Sequence, residues 1–132
     1  MVGDRPADMT ILPLDLKFRG LPHCIAAFLV EAAGEYALIE TGPSSCLEAC
    51  LTAIRAQGVD PQQIGKVLVT HIHLDHSGAA GWWAAQGAQI YVHTKGARHM
   101  ANPERLIQGA TMIYGDAMDT LWGDVLPIAE DQ

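Results

Sequence analysis

The chain has 132 residues, and a compact domain typically runs ~100–150, so two independent cores are excluded and residues 1–132 are read as one domain. Charged residues make up 17% of it against ~25% in an average soluble protein, which leaves apolar surface in want of a partner. Eight Lys plus Arg against fifteen Asp plus Glu give a net charge of −7, and this disfavours a nucleic-acid backbone as ligand, because such binding relies on clustered cations.

At the N-terminus, Asp4, Arg5 and Asp8 stand where a signal peptide would be apolar, and no later run approaches the ~20 apolar residues of a membrane span. A cytoplasmic protein with no membrane partner is expected. Residues 11–19, 24–32 and 35–40 are short apolar or alternating runs broken by Gly20-Leu21-Pro22 and Gly34, which predicts three strands in a meander. From Ser44 the period changes: Leu47, Cys50, Leu51 and Ile54 share a helical face, Ser45 with Glu48 forms a capping box, and Gly58 terminates. Cys46 and Cys50 lie one turn apart on this helix and are read as small buried hydrophobes; with Cys24 they are too few for a disulfide framework.

Residues 66–70, KVLVT, predict a strand buried on both faces. A helix over 77–86 and a strand over 89–93 then complete a βαβ unit. Asn102-Pro103-Glu104 opens a long helical pattern with Leu106, Ile107, Ala110, Ile113, Tyr114, Ala117, Met118 and Leu121 apolar, interrupted by Gly109 and Gly115. Its wide apolar face asks for cover.

His71, His73, Asp75 and His76 fall within six residues, directly after the 66–70 strand. Imidazole and carboxylate are the ligands of zinc and other borderline divalent metals, and a loop leaving a rigid strand can hold them in place. In an extended stretch, residues i and i+2 point the same way, so His71 and His73 can grip one ion together. Asp75 and His76, at the turn into the next helix, can reach a second ion about 3.5–4 Å away, as in two-metal hydrolytic sites. The bland alternative, exposed polar loop residues, suits one or two histidines better than three with an aspartate.

The segment from Thr70 to Gly78, THIHLDHSG, resembles the HxHxDH signature of the metallo-β-lactamase superfamily, and Ile39-Glu40-Thr41-Gly42 resembles that family's Asp-Thr-Gly segment, with Glu40 in place of the aspartate. The resemblance implies an α/β (α+β) fold, an αββα sandwich whose mixed sheets carry flanking helices, of which this chain holds the N-terminal half. It implies two divalent ions, zinc by preference and iron or manganese otherwise, with His71 and His73 on the first, Asp75 and His76 on the second, and Glu40, Thr41 and Gly42 supporting the site. A bridging water or hydroxide would attack the ester, thioester, lactone or lactam bond of a small-molecule substrate, with Asp75 orienting it or passing its proton to the leaving group.

Family members add a third histidine, a bridging aspartate and a last histidine beyond the motif, whereas no histidine follows His99 here. His93 and His99 are out of place for those roles, and Asp116, Asp119, Asp124 and Asp131 are read as solvated charges. Trp82, Trp83, Tyr114, Met112 and Met118 are read as packing rather than as substrate walls. The hydrolase reading therefore expects the protein to continue past Gln132. Two alternatives stay open: a mononuclear-iron persulfide dioxygenase of the same fold, and a non-catalytic half-domain that binds metal or forms a homodimer.

Overall fold

The first strand, β1 (Thr10–Asp15), stops earlier than its apolar pattern predicts because the backbone turns left-handed at Lys17 (φ 48) and Arg19 (φ 57). The computed structural model describes residues 9–129 and 131, so Asp4, Arg5 and Asp8 lie outside it. The Asp15 carboxylate ties the turn together by accepting the N–H groups of Lys17 and His23, each at 3.0 Å. Those two donors hold its carboxyl below the usual aspartate value, Lys17 most of all.

β2 (Ala26–Ala32) and β3 (Glu35–Ile39) continue the meander antiparallel. They are joined by Ala33 (φ 52) and Gly34 (φ 79), a two-residue turn with both φ positive that matches the strand twist. β4 (Ile64–Leu68) and β5 (Gln89–Tyr91) then add in parallel, giving one mixed sheet in the order β1-β2-β3-β4-β5. The fold is the expected mixed sheet with flanking helices.

α1 (Leu47–Ala56) buries Cys50, Leu51 and Ile54, as its period predicts. The expected capping box is absent. A short 3₁₀ turn over Ser44–Cys46 precedes the helix, and the Ser45 hydroxyl donates instead to the Leu121 carbonyl at 2.5 Å. Reaching a distant carbonyl that would otherwise lack a partner wins over capping the local helix. Cys46 and Cys50 are buried, and burial pushes the Cys50 thiol up to about 12. They are core residues, whereas Cys24 is exposed.

α2 (Leu74–Ser77) and α3 (Ala80–Ala85) replace the single helix expected over 77–86, and α3 drives Trp83, 1% exposed, into the core. Trp82 meets it edge to face at 5.1 Å. α4 (Thr94–Ala101), α5 (Glu104–Tyr114) and α6 (Met118–Leu121) follow. Gly109 does not interrupt α5; the break falls at Gly115, whose φ of 53 ends the helix. Among the described residues no helix is long and apolar enough to cross a membrane.

The sheet has two unlike faces. Leu14, Leu29, Leu38, Ile64, Val67 and Val69 face the helices and are buried. On the opposite face Pro13, Phe28, Ile39, Leu68 and Tyr91 pair in register across all five strands, and Leu68 and Tyr91 are exposed. This corrects the expectation that β4 is buried on both sides: Lys66 and Leu68 are exposed, because helices cover only one face. Part of the apolar surface expected from the shortage of charge lies in this row, at the exposed Leu68 and Tyr91.

Candidate functional site

β3 and β4 lie side by side and parallel, so the segments leaving their ends emerge together. The first is Glu40-Thr41-Gly42 and the second runs from Thr70 to Gly78. Backbone bonds stitch the two: Glu40 N–H donates to the Leu68 carbonyl, Thr41 N–H to the His76 carbonyl, both at 2.8 Å, and Ala79 N–H to the Gly42 carbonyl at 3.0 Å. The Thr41 side chain, fully buried, accepts the Ala79 N–H at 3.2 Å and stands 2.8 Å from the Gly42 carbonyl. Gly42 adopts φ +67, and a Cβ there would overlap Leu16 Cδ1. Gly78 is equally confined, since a Cβ would sit 2.9 Å from Pro43 Cα.

Thr41 and Gly42 thereby lock the histidine loop to the sheet, and His71, His73, Asp75 and His76 project from its rim. His73 is extended (ψ 143) and stands at the N-cap of α2, with Asp75 and His76 in that helix's first turn, as the spacing predicts. The three imidazoles cluster: the His71 ring centroid lies 4.7 Å from that of His73 and 4.1 Å from that of His76. Thr70 Oγ1 contacts His71 Nδ1 at 2.8 Å.

Glu40 organises the group from beneath. It is 4% exposed, it takes a left-handed backbone (φ 66), and its Oε1 accepts the Thr70 N–H at 2.6 Å. Its Oε2 takes a hydrogen bond from His76 Nδ1. A carboxylate only accepts, so His76 carries a hydrogen on Nδ1 and a neutral ring keeps its lone pair on Nε2. That Nε2 lies 3.3 Å from Asp75 Oδ2. Two acceptors facing one another at this range are satisfied by an added proton or by a cation.

The donor set therefore suits a divalent ion in chemistry and in tautomer. It is not a closed site: among the described residues no three His, Cys, Asp or Glu side chains converge so as to hold an ion. His93 and His99 do not fill the gap in sequence terms, and His93 has a structural task, its Nδ1 accepting the Lys95 N–H at 3.1 Å to cap α4. Asp116, Asp119, Asp124 and Asp131 are exposed.

Beside the loop a cavity of about 450 Å³ runs between His73, Leu74 and Asp75 on one side and α5 with Trp122 on the other. Sequence reasoning took Tyr114 for packing, and here it lines this cavity, whereas Met118 is buried and Met112 is 89% exposed. Ile113, which also lines it, was legible only as part of a helical stripe and Gly109 as an interruption of it, while Arg105 carried no signal in the sequence.

Comparison with known proteins agrees with this geometry. The family model of the metallo-beta-lactamase superfamily matches residues 25–130. Over 34 residues, 26% of this chain and 13% of the relative, the chain is 44% identical to the N-acyl homoserine lactonase AttM of Azorhizobium caulinodans. The metallo-beta-lactamase MIM-1 of Novosphingobium pentaromativorans superposes with a TM-score of 0.54 at 32% identity, covering 58% of this chain and 29% of that one. A metallo-beta-lactamase variant from Cronobacter sakazakii shares the fold more widely, with a TM-score of 0.63 at 18% identity over 93% of this chain and 46% of its own. The chain spans less than half the length of each of these proteins. A sheet and helices in the family's arrangement, a histidine loop at the ends of two parallel strands and a family match over residues 25–130 together show that the chain belongs to the metallo-beta-lactamase superfamily.

Proposed function

We propose that this chain carries the metal-binding half-site of a hydrolase that cleaves an ester, thioester, lactone or lactam bond. The observation that carries the reading is the cluster of His71, His73 and His76 with Asp75, in which Glu40 leaves the Nε2 lone pair of His76 turned toward Asp75. His71 and His73 would hold one ion, and Asp75 with His76 a second, zinc being the ion best suited to these N and O donors, ahead of iron or manganese. Bound there, divalent ions supply Lewis-acid polarisation of the scissile group and acidify water.

The chain's own residues do the rest. Glu40 and Thr70 fix the orientations of His76 and His71, so that their free nitrogens need not reorganise. Asp75, half-exposed on the wall of the 450 Å³ cavity, can receive a proton on Oδ2 from the attacking water and return it to the leaving group. Leu74 and Trp122 give that cavity apolar surface on its two opposite walls. The partial identity to a lactonase supports placing lactones among the substrates.

The open donor set favours a second reading, a non-catalytic metal-binding half-domain, which pairs with a second copy through the bare apolar row of the sheet. Activity separates the two. With zinc supplied, hydrolysis of a panel of simple esters and lactones should be measurable and should fall at least ~100-fold in His73→Ala, the loss typical of removing one electrostatic stabiliser. Equal rates in the two proteins contradict the hydrolase reading, and the absence of any zinc-dependent turnover in the wild type favours the half-domain.

A further inference from the structure

α5 contributes the stripe Arg105, Leu106, Gly109, Ala110, Ile113 and Tyr114 to the cavity wall facing His73 and Asp75. None of its residues is fully buried; Leu106 and Ala110 are half-buried and Ile113 is 76% exposed, so the stripe is covered at one end and open at the other. Gly109 sits in the middle of this stripe. A glycine there weakens a helix appreciably relative to alanine, yet neither of the usual reasons for glycine applies. Its φ is ordinary, and a Cβ built on it would meet no atom within 4 Å. What glycine does is deepen the trough between the two ends of the helix. At the helical rise of ~1.5 Å per residue, the trough from Arg105 to Ile113 is about 12 Å long.

The chemistry of the walls is that of an amphiphile's groove. Leu106, Ala110, Ile113, Tyr114 and Trp122 are apolar or aromatic, and Tyr114 meets Trp122 edge to face with centroids 5.3 Å apart. Arg105 supplies a guanidinium that pairs with no carboxylate among the described residues, on a chain whose net charge is −7. A cavity of about 450 Å³ lies within the ~300–1,000 Å³ range of small-molecule sites. Resting on the hydrolase reading, we propose that this groove binds an unbranched acyl chain, Gly109 keeping the trough open and Arg105 receiving an oxygen of the polar head, so that the preferred substrates are acyl compounds of medium chain length.

Binding tests this without any turnover. Straight-chain carboxylates from octanoate to dodecanoate, titrated into the whole chain without added metal, should perturb tryptophan emission saturably, and Trp122→Phe should remove the signal. Affinity should rise about fourfold per added methylene, as full burial of each CH₂ in an apolar groove requires. Gly109→Leu fills open space, so the variant should keep its fold and circular dichroism while losing at least tenfold in dodecanoate affinity. Met112→Ala, outside the groove, should change nothing. Arg105→Gln should weaken dodecanoate and leave dodecanol unaffected. No saturable binding in the wild type, no dependence on chain length, or undiminished binding in a folded Gly109→Leu overturns the proposal. Failure of hydrolysis with intact chain-length dependence of binding would instead strike at the hydrolase reading and leave the groove standing.

Discussion

Glu40→Gln is expected to weaken zinc binding by 10–100-fold while leaving the melting temperature within a few degrees of the wild type, as seen by titration calorimetry beside a thermal melt. The Glu40 carboxylate makes two bonds. Its Oε1 accepts the Thr70 N–H, and its Oε2 accepts from His76 Nδ1. A glutamine oxygen can still serve Thr70, so the buried backbone donor keeps a partner and the fold is retained. The amide then turns its NH₂ toward His76, and a donor facing Nδ1 selects the tautomer with hydrogen on Nε2, the nitrogen a metal would need. Loss of the charge also makes the imidazole a poorer ligand, and outer partners of this kind are commonly worth 10–100-fold in metal affinity. Glu40→Ala should add a stability loss of ~1–3 kcal/mol, because the Thr70 N–H is then left without an acceptor. A Gln variant that binds zinc like the wild type would show that Glu40 supports only the backbone.

Gly42→Val is expected to unfold much of the protein at 37 °C. At φ +67 a β-branched residue carries a backbone penalty of ~1–2 kcal/mol. Its Cβ would also overlap Leu16 Cδ1, and Leu16 is fully buried in the core, so relief requires repacking that typically costs a further ~1–3 kcal/mol. Together these approach the lower end of the ~5–15 kcal/mol that holds a domain folded. Gly34→Ala is the comparison: it too has positive φ, at +79, but a Cβ meets nothing within 4 Å, so only the backbone term remains. Chemical denaturation should rank Gly42→Val well below Gly34→Ala, and equal midpoints would remove the steric argument.

The sequence made the architecture legible where a single physical rule dominated. The meander, the βαβ unit and the burial of Cys50 and Ile54 follow from periodicity, which is set by which face meets the core. Residues Lys17 and Arg19 defeated the strand reading of 11–19, because a left-handed turn at non-glycine residues is held by the Asp15 carboxylate, a partner that no periodicity records. The Ser45–Glu48 capping box was lost to a competitor far along the chain, the Leu121 carbonyl.

At the site, the spacing of His71, His73, Asp75 and His76 indicated which side chains would gather, and their rings do gather. The segment Glu40-Thr41-Gly42 was picked out as support, yet its division of labour was invisible: one carboxylate serving a backbone N–H and a ring nitrogen is a tertiary arrangement. Glu40, in place of the aspartate, takes a left-handed backbone and reaches both the Thr70 N–H and His76 Nδ1. Gly109 was read as a helix interruption, and its other property, an empty space where a side chain would be, exists only once α5 is placed against the loop.

The proposed hydrolase depends on the loop from His71 to His76 being a metal-binding element. Zinc titrated calorimetrically into the purified chain at neutral pH, alongside the double variant His71→Ala/His73→Ala, tests it most directly. Saturable binding of one to two ions per chain is expected in the wild type, weaker than at a closed four-ligand site, with at least a tenfold loss in the double variant. Zinc binding of equal strength in the two proteins, or none in the wild type, would contradict it.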